Sequence, residues 1–255
     1  MKATILGSGT SQGVPIIGCD CAACTSSDMH DKRLRSSLMV SCRDTTVVID
    51  TGPDFRYQML REGVRNIDAI LFTHGHKDHT GGLDDVRAFN YINGKSMDIY
   101  ANASTMATIR KDYDYAFADN PYPGVPELTP HVIDGDDAFT VGSLTVMPVK
   151  GLHYRMEVLG YRIGGLAYIT DMNFIPPGQI DKLHGVDTLI INALRRQKHL
   201  SHFCLDEALD VIRQISPRRA YLTHISHQMG LFADLEAELP RGVHSAYDRM
   251  TIEIE

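Results

Sequence analysis

The chain has 255 residues and a formal net charge of -7, with its basic residues scattered rather than gathered into runs. That balance argues against wrapping a long nucleic acid electrostatically, while a small anionic substrate stays compatible because a metal or local cation reverses the sign inside a cleft. No apolar run approaches the roughly 20 residues of a membrane span, and the length suits one large domain over residues 1–255. The start, Met1 to Gly7, reaches glycine too soon for a signal peptide. Five cysteines, three of them crowded between Cys19 and Cys24, fit a reduced compartment and a metal better than disulfides, so a cytoplasmic protein is expected.

Taken in order, Lys2 to Leu6 reads as a strand that runs into the glycine-rich turn Gly7 to Gly13. That turn is either a tight connection or, through its amides and Ser11, a contact for an anion. Next, the C-x-C-x-x-C spacing of Cys19, Cys21 and Cys24 lets three thiolates converge on one tetrahedral ion, which predicts a structural zinc whose fourth ligand lies downstream. Leu38 to Cys42 and Thr45 to Asp50 form a hairpin in outline. A helix with Phe55, Met59 and Leu60 on its core face is closed by Gly63. Asp68 to Thr73 is then a strand that delivers His74, His76, Asp78 and His79 to a strand-to-helix turn.

Beyond that turn Leu83, Val86, Phe89 and Tyr91 predict a helix, and a later helix turns Met106, Ile109 and Tyr113 inward. The Pro-rich stretch Asn120 to Pro126 is a connector or a substrate rim. His153 follows the strand Leu144 to Val149, and a hairpin about Gly164-Gly165 ends in Asp171. The run Val186 to Asn192 leads to a polar stretch holding Arg195, Arg196, His199 and His202, ahead of a helix with Leu205, Ala208, Ile212 and Ile215 at helical spacing. Ala220 to Thr223 is a strand running into His224, and Met250 to Ile254 is the last strand.

Three of these strands end alike: Leu71-Phe72-Thr73-His74, Tyr168-Ile169-Thr170-Asp171 and Tyr221-Leu222-Thr223-His224. Side by side, they would set three ligands on one rim of a sheet. Four ligands on the His74 to His79 turn are too many for one open catalytic ion and natural for two. With His153, Asp171 and His224 added and Asp171 shared, two ions would each keep room for water and acidify it into a nucleophile. Histidine and aspartate accept zinc, manganese and iron alike, so the identity of the two divalent metals stays open.

The H-x-H-x-D-H run of His74, His76, Asp78 and His79, followed by His153, Asp171 and His224, resembles the signature of the metallo-β-lactamase superfamily. Together with Gly7 to Pro15, the Cys19-Cys21-Cys24 cluster and Leu222 to Gln228, the chain looks closest to the phosphodiesterase family of the carbon-phosphorus lyase pathway. The resemblance implies an α/β protein, a four-layer αββα sandwich, with one ion on His74, His76 and His153, the other on Asp78, His79 and His224, and Asp171 between them. It makes His227 the fourth ligand of the structural zinc and His202 the acid that protonates a leaving oxygen. Arg195, Arg196, His199 and Ser11 stand as candidate phosphate contacts.

The expected function is hydrolysis of a small phosphodiester, with a cyclic phosphate of ribose or a nucleotide favoured, to a phosphomonoester. The rival readings are a tRNA 3′-processing type of endonuclease or another hydrolase of the same fold and, from a different class, a non-catalytic metal or nucleotide-binding module. The sequence shows no inserted basic, glycine-rich arm that would grip a tRNA. Oligomeric state is left open, and a homodimer is compatible.

Overall fold

The computed structural model describes residues 1–255 as two seven-stranded mixed sheets packed face to face, with helices on both outer surfaces. The strands are β1 (Lys2–Gly7), β2 (Ser37–Cys42), β3 (Thr45–Ile49), β4 (Ala69–Leu71), β5 (Met97–Ala101), β6 (Leu128–Val132), β7 (Phe139–Val141), β8 (Leu144–His153), β9 (Met156–Ile163), β10 (Leu166–Ile169), β11 (Thr188–Asn192), β12 (Arg219–Thr223), β13 (Val243–Ser245) and β14 (Thr251–Glu253). The first sheet has the order β14-β1-β2-β3-β4-β5-β6 and the second β13-β12-β11-β10-β9-β8-β7. Within them β3 to β6 and β10 to β13 run parallel, and the remaining pairs are antiparallel.

Side-chain chemistry explains where each strand sits. The apolar runs β10 and β11 are buried along their whole length, as a parallel strand covered on both faces requires. Pro130, which has no amide to donate, lies in β6 at the edge of its sheet. The core forms three layers. Between the sheets sit Ile5, Leu38, Val47, Leu71, Val146, Tyr161 and Tyr168. Outside the first sheet, Phe55, Phe89, Met106 and Ile109 cover Val48 and Ile70. Outside the second, Leu205, Ala208, Ile212 and Ile215 cover Leu189 and Leu222. This is the αββα sandwich expected, and the helix Leu205–Ile215 is stopped by Ser216 in the left-handed region at φ 56°.

Two expectations about helix faces fail. Leu60 is 62% exposed and Tyr91 is 91% exposed, so neither belongs to the core. Leu60 follows Met59 by one residue and lies 100° round the helix from it, and the segment with Leu83 and Val86 is a 3-10 turn that resets the phase before the helix Arg87–Asn93.

The topology also changes the picture of a single rim. β4 belongs to the first sheet and β10 and β12 to the second, with β11 between these two. What unites them is polarity: both parallel sets present their carboxyl ends to one end of the sandwich, where open α/β sheets place their chemistry. Asp50 and His74 arrive there from the first sheet, Asp171 and His224 from the second.

Candidate metal centre

At the shared end, Asp171 is the hub. Its Oδ2 lies 3.2 Å from His79 Nε2 and 3.1 Å from His224 Nδ1, while its Oδ1 lies 3.6 Å from His202 Nδ1. The donor atoms of His74, His76 and His153 gather within 4.8 Å of one another, and so do those of His74, His79 and Asp171 and those of Asp78, Asp171 and His224. All seven expected ligands are therefore brought together, from two sheets and three loops.

Local backbone geometry delivers them. Asp50, Asp171 and His224 have φ of 64°, 58° and 55°, a left-handed conformation that non-glycine residues adopt at some cost. Each follows a strand directly or after one threonine, and the kink throws its side chain off the sheet into the cluster. Thr170 donates its hydroxyl to Asp171 Oδ2 at 2.7 Å, fixing the carboxylate, and the His153 ring nitrogen Nδ1 meets the Ser201 carbonyl at 2.9 Å, leaving Nε2 for the centre.

Asp50 was not singled out from the sequence. It is buried, it accepts from the Thr73 amide at 2.9 Å and the Thr73 hydroxyl at 2.8 Å, and its Oδ2 is 2.7 Å from His79 Nδ1. A carboxylate behind a ligating imidazole sets its tautomer and raises its basicity. The signal was available, since Asp50 follows its strand much as Asp171 follows β10, but a lone aspartate before Thr51-Gly52 reads equally well as a turn. Asp50→Asn is expected to weaken the binding of an ion held by His79 by about 10–100-fold. Unchanged affinity in a competitive chelator titration would remove Asp50 from this role.

Two features of the protein alone show that the cluster fits divalent ions. His79 Nε2 is buried and lies 3.2 Å from both Asp78 and Asp171 without a hydrogen bond to either, an orphaned donor atom that a cation between these groups would engage. The charge pattern agrees. Burial works against a charged His79, yet Asp171, Asp50 and Asp78 together raise it well above the ordinary histidine range, so its proton stands where a metal would supply positive charge. Burial would likewise push Asp171 up, but His224 and His79 hold it well below the usual carboxylate range. Burial keeps His74 well below its ordinary value, and so neutral and ready to ligate.

A second cluster stands apart. His227 Nδ1 lies 3.2, 3.3 and 3.7 Å from the sulfurs of Cys19, Cys21 and Cys24. A tetrahedral ion with ordinary bond lengths of about 2.3 Å to sulfur and 2.0 Å to nitrogen would separate such atoms by about 3.5 Å. The fit is close. Backbone contact with Cys24 and then His227 draw the Cys21 thiol down to about 6, so it ionises readily.

The glycine turn explains how the two clusters are joined. Gly7 passes so near Arg35 that an added Cβ would sit 1.9 Å from the Arg35 carbonyl oxygen, and the Gly9 strip bridges to Ile225. The turn is thus a packing device that zips the cysteine loop to the strand end bearing His224 and His227. Thr10 also reaches His224 Nε2 at 3.3 Å.

Of the proposed substrate contacts, Ser11, Arg195 and His199 line one cavity of about 230 Å³ between the clusters, together with His202, Gln12 and Gln228. Arg195 spends its donors within the chain, on the carbonyls of Gln197 and Lys198 and on Gln228 Oε1. Arg196 is placed elsewhere: it pairs with Glu238 at 2.6 Å and donates to the Met229 carbonyl, anchoring the helix Phe232–Glu238 rather than lining the cavity. His202 stacks on His224 with centroids 4.9 Å apart, and burial pushes it down to about 3, so it is neutral at neutral pH in the free chain. The Pro-rich loop lines a separate cavity, where Gly124 and Val125 face Asp85 and Arg87, and not this one.

Fold and site together define a metal-dependent hydrolase. Residues 45–225 match the model of the beta-lactamase superfamily domain. A crystal structure described as a new diphosphatase from the PhnP family superposes with a TM-score of 0.93 at 41% identity, covering 100% of this chain and 98% of that one. The chain belongs to the metallo-β-lactamase superfamily and, within it, to the PhnP family. Zn(2+)-bound PqqB from Methylobacterium extorquens shares the fold, with a TM-score of 0.78 at 21% identity over the whole of both chains. A Porphyromonas gingivalis protein named octanoyltransferase is 42% identical over 97% of this chain, and the chain spans about half (50%) of its length. No helix is long and apolar enough to cross a membrane.

Proposed function

We propose that this protein is a binuclear-metal phosphodiesterase that hydrolyses a small phosphodiester, of the cyclic ribose or nucleotide kind, to a phosphomonoester. The observation that carries the reading is Asp171, which shares one potential ligand group with His74 and His79 and another with Asp78 and His224. On this reading His74, His76 and His153 hold one ion, Asp78, His79 and His224 the other, with Asp171 common to both, and the ions are zinc or manganese, with iron also compatible with the donors. When bound, such a pair neutralises phosphate charge and lowers the pKa of water to near neutrality. Cys19, Cys21, Cys24 and His227 hold a structural zinc. A cytoplasmic location accords with five cysteines that form no disulfide.

The chain's own contribution is positional and acidic. The cavity with Ser11, Gln12 and His199 seats the phosphate beside His202. His202 is buried and neutral in the free chain, so to act as the acid it takes up a proton in the substrate complex and passes it to the departing alkoxide. His202→Ala is expected to retain its metals and lose about 10²-fold or more on alkyl diesters, with far less loss on activated aryl diesters, whose leaving groups need no acid. Equal loss on both classes would count against the acid role.

A second reading is favoured by the 41% identical diphosphatase: cleavage of a diphosphate, whose phosphate leaving group also departs without an acid. The test is a turnover panel with zinc or manganese: cyclic ribose phosphate, 2′,3′-cyclic nucleotides, linear dinucleotides, a dinucleoside diphosphate, precursor tRNA and a β-lactam. The phosphodiesterase reading expects a small diester to be the best substrate. A winning diphosphate selects the second reading, and turnover confined to tRNA or the lactam overturns both.

A further inference from the structure

A second cavity, of about 540 Å³, opens on the other flank of the ligand cluster, lined by His76, His153, Tyr154, Arg155, Met156 and Leu200. It adjoins two of the expected ligands, so a group seated there belongs to whatever is held at the centre. Its outer wall is unusual. Tyr154 is 44% exposed and Leu200 67% exposed, both turned to the opening rather than to the core. The Arg155 guanidinium carbon lies 5.0 Å from the centre of the Tyr154 ring. Unlike Arg195 and Arg196, Arg155 makes no ion pair or hydrogen bond within the chain.

The backbone holds this wall at some cost. β8 and β9 remain paired up to His153 and Met156, so Tyr154 and Arg155 form a two-residue turn, and Tyr154 takes φ 59°. Glycine or asparagine ordinarily fills such a position, because a larger side chain is strained there. The turn is pinned from below. The Tyr154 amide donates to Asn173 Oδ1 at 2.7 Å, and the Asn173 amide donates to the Leu152 carbonyl at 2.8 Å, two residues beyond Asp171. The turn thus fixes the Tyr154 ring beside His76 and His153 at the cavity wall.

We propose that this cavity is a subsite for the base of a nucleotide-type ester, with Tyr154 and Arg155 as its specificity-determining residues. The inference rests on the phosphodiester-hydrolase reading and narrows it, from any small diester to one that carries a nucleobase. A planar base stacks on the exposed Tyr154 ring on the side away from the Arg155 guanidinium, which lies over the ring, and Leu200 closes the apolar side. A bare sugar phosphate would leave the exposed part of the Tyr154 ring and Leu200 uncovered.

The test uses binding, so that it stands whether or not any diester is turned over. Calorimetric titration of the metal-loaded protein compares adenosine 5′-monophosphate with ribose 5-phosphate. The wild type is expected to prefer the nucleotide by about tenfold, the scale of one base–aromatic stack. Tyr154→Gly, which suits the positive φ and so removes the ring without added backbone strain, is expected to reduce that ratio to below about twofold, while Tyr154→Phe keeps it. Equal binding of the two ligands by the wild type, or a preference that survives in Tyr154→Gly, would overturn the subsite. Failure of the hydrolase reading shows separately, as an absence of turnover across the diesters.

Discussion

Asp171→Ala is expected to abolish hydrolysis, with a loss on the order of 10³-fold or more, and to leave the catalytic cluster short of metal. The reason is geometric. Asp171 is 2% exposed, and it alone approaches His79, His224 and His202 together, at 3.2, 3.1 and 3.6 Å. Removing its carboxylate takes away the group common to both expected ions and leaves His79, raised well above its ordinary range mainly by Asp171, with Asp50 and Asp78 only. About 4 kcal/mol of lost transition-state stabilisation corresponds to the stated loss. Elemental analysis and kcat/KM on one diester check it, and a variant that kept its metals and more than a tenth of its activity would deny Asp171 the central place.

The second large effect concerns stability. His227→Ala is expected to lose one zinc per chain and to lower Tm by roughly 10 °C, since linkage to an ion present at 100–1,000 Kd contributes about 3–4 kcal/mol and each kcal/mol moves a domain of this size by about 2–4 °C. Cys19, Cys21 and Cys24 would be left with their sulfurs gathered around a missing nitrogen. Because the Gly9 strip ties this loop to Ile225, one residue from His224, some activity should fall as well. A variant with full zinc and an unchanged Tm would sink the structural site.

Much of the centre was legible in the sequence because its chemistry is dense. Three histidines and an aspartate between His74 and His79 crowd ligands where no core could use them, and the C-x-C-x-x-C spacing has few other uses. His227 was named only through resemblance, and the fold places it against all three sulfurs. What local pattern did not carry was pairing between distant segments. The threonine-ended strands look alike, yet β4 joins one sheet while β10 and β12 join the other, because strand partners are chosen by the whole core. The same limit hid Asp50, whose role appears only once the His79 ring is beside it. It also misplaced Arg196, drawn to Glu238, 42 residues further along the chain, rather than to the cavity.

The measurement that bears most directly on a binuclear centre is a titration of activity against bound metal. Protein stripped of ions, then reconstituted with zinc at the cysteine site, would be given increasing manganese or zinc while bound metal and diester turnover are read together. Turnover is predicted to rise with the second catalytic ion and to saturate at two per chain beyond the structural zinc. Full activity at one catalytic ion per chain would contradict the account.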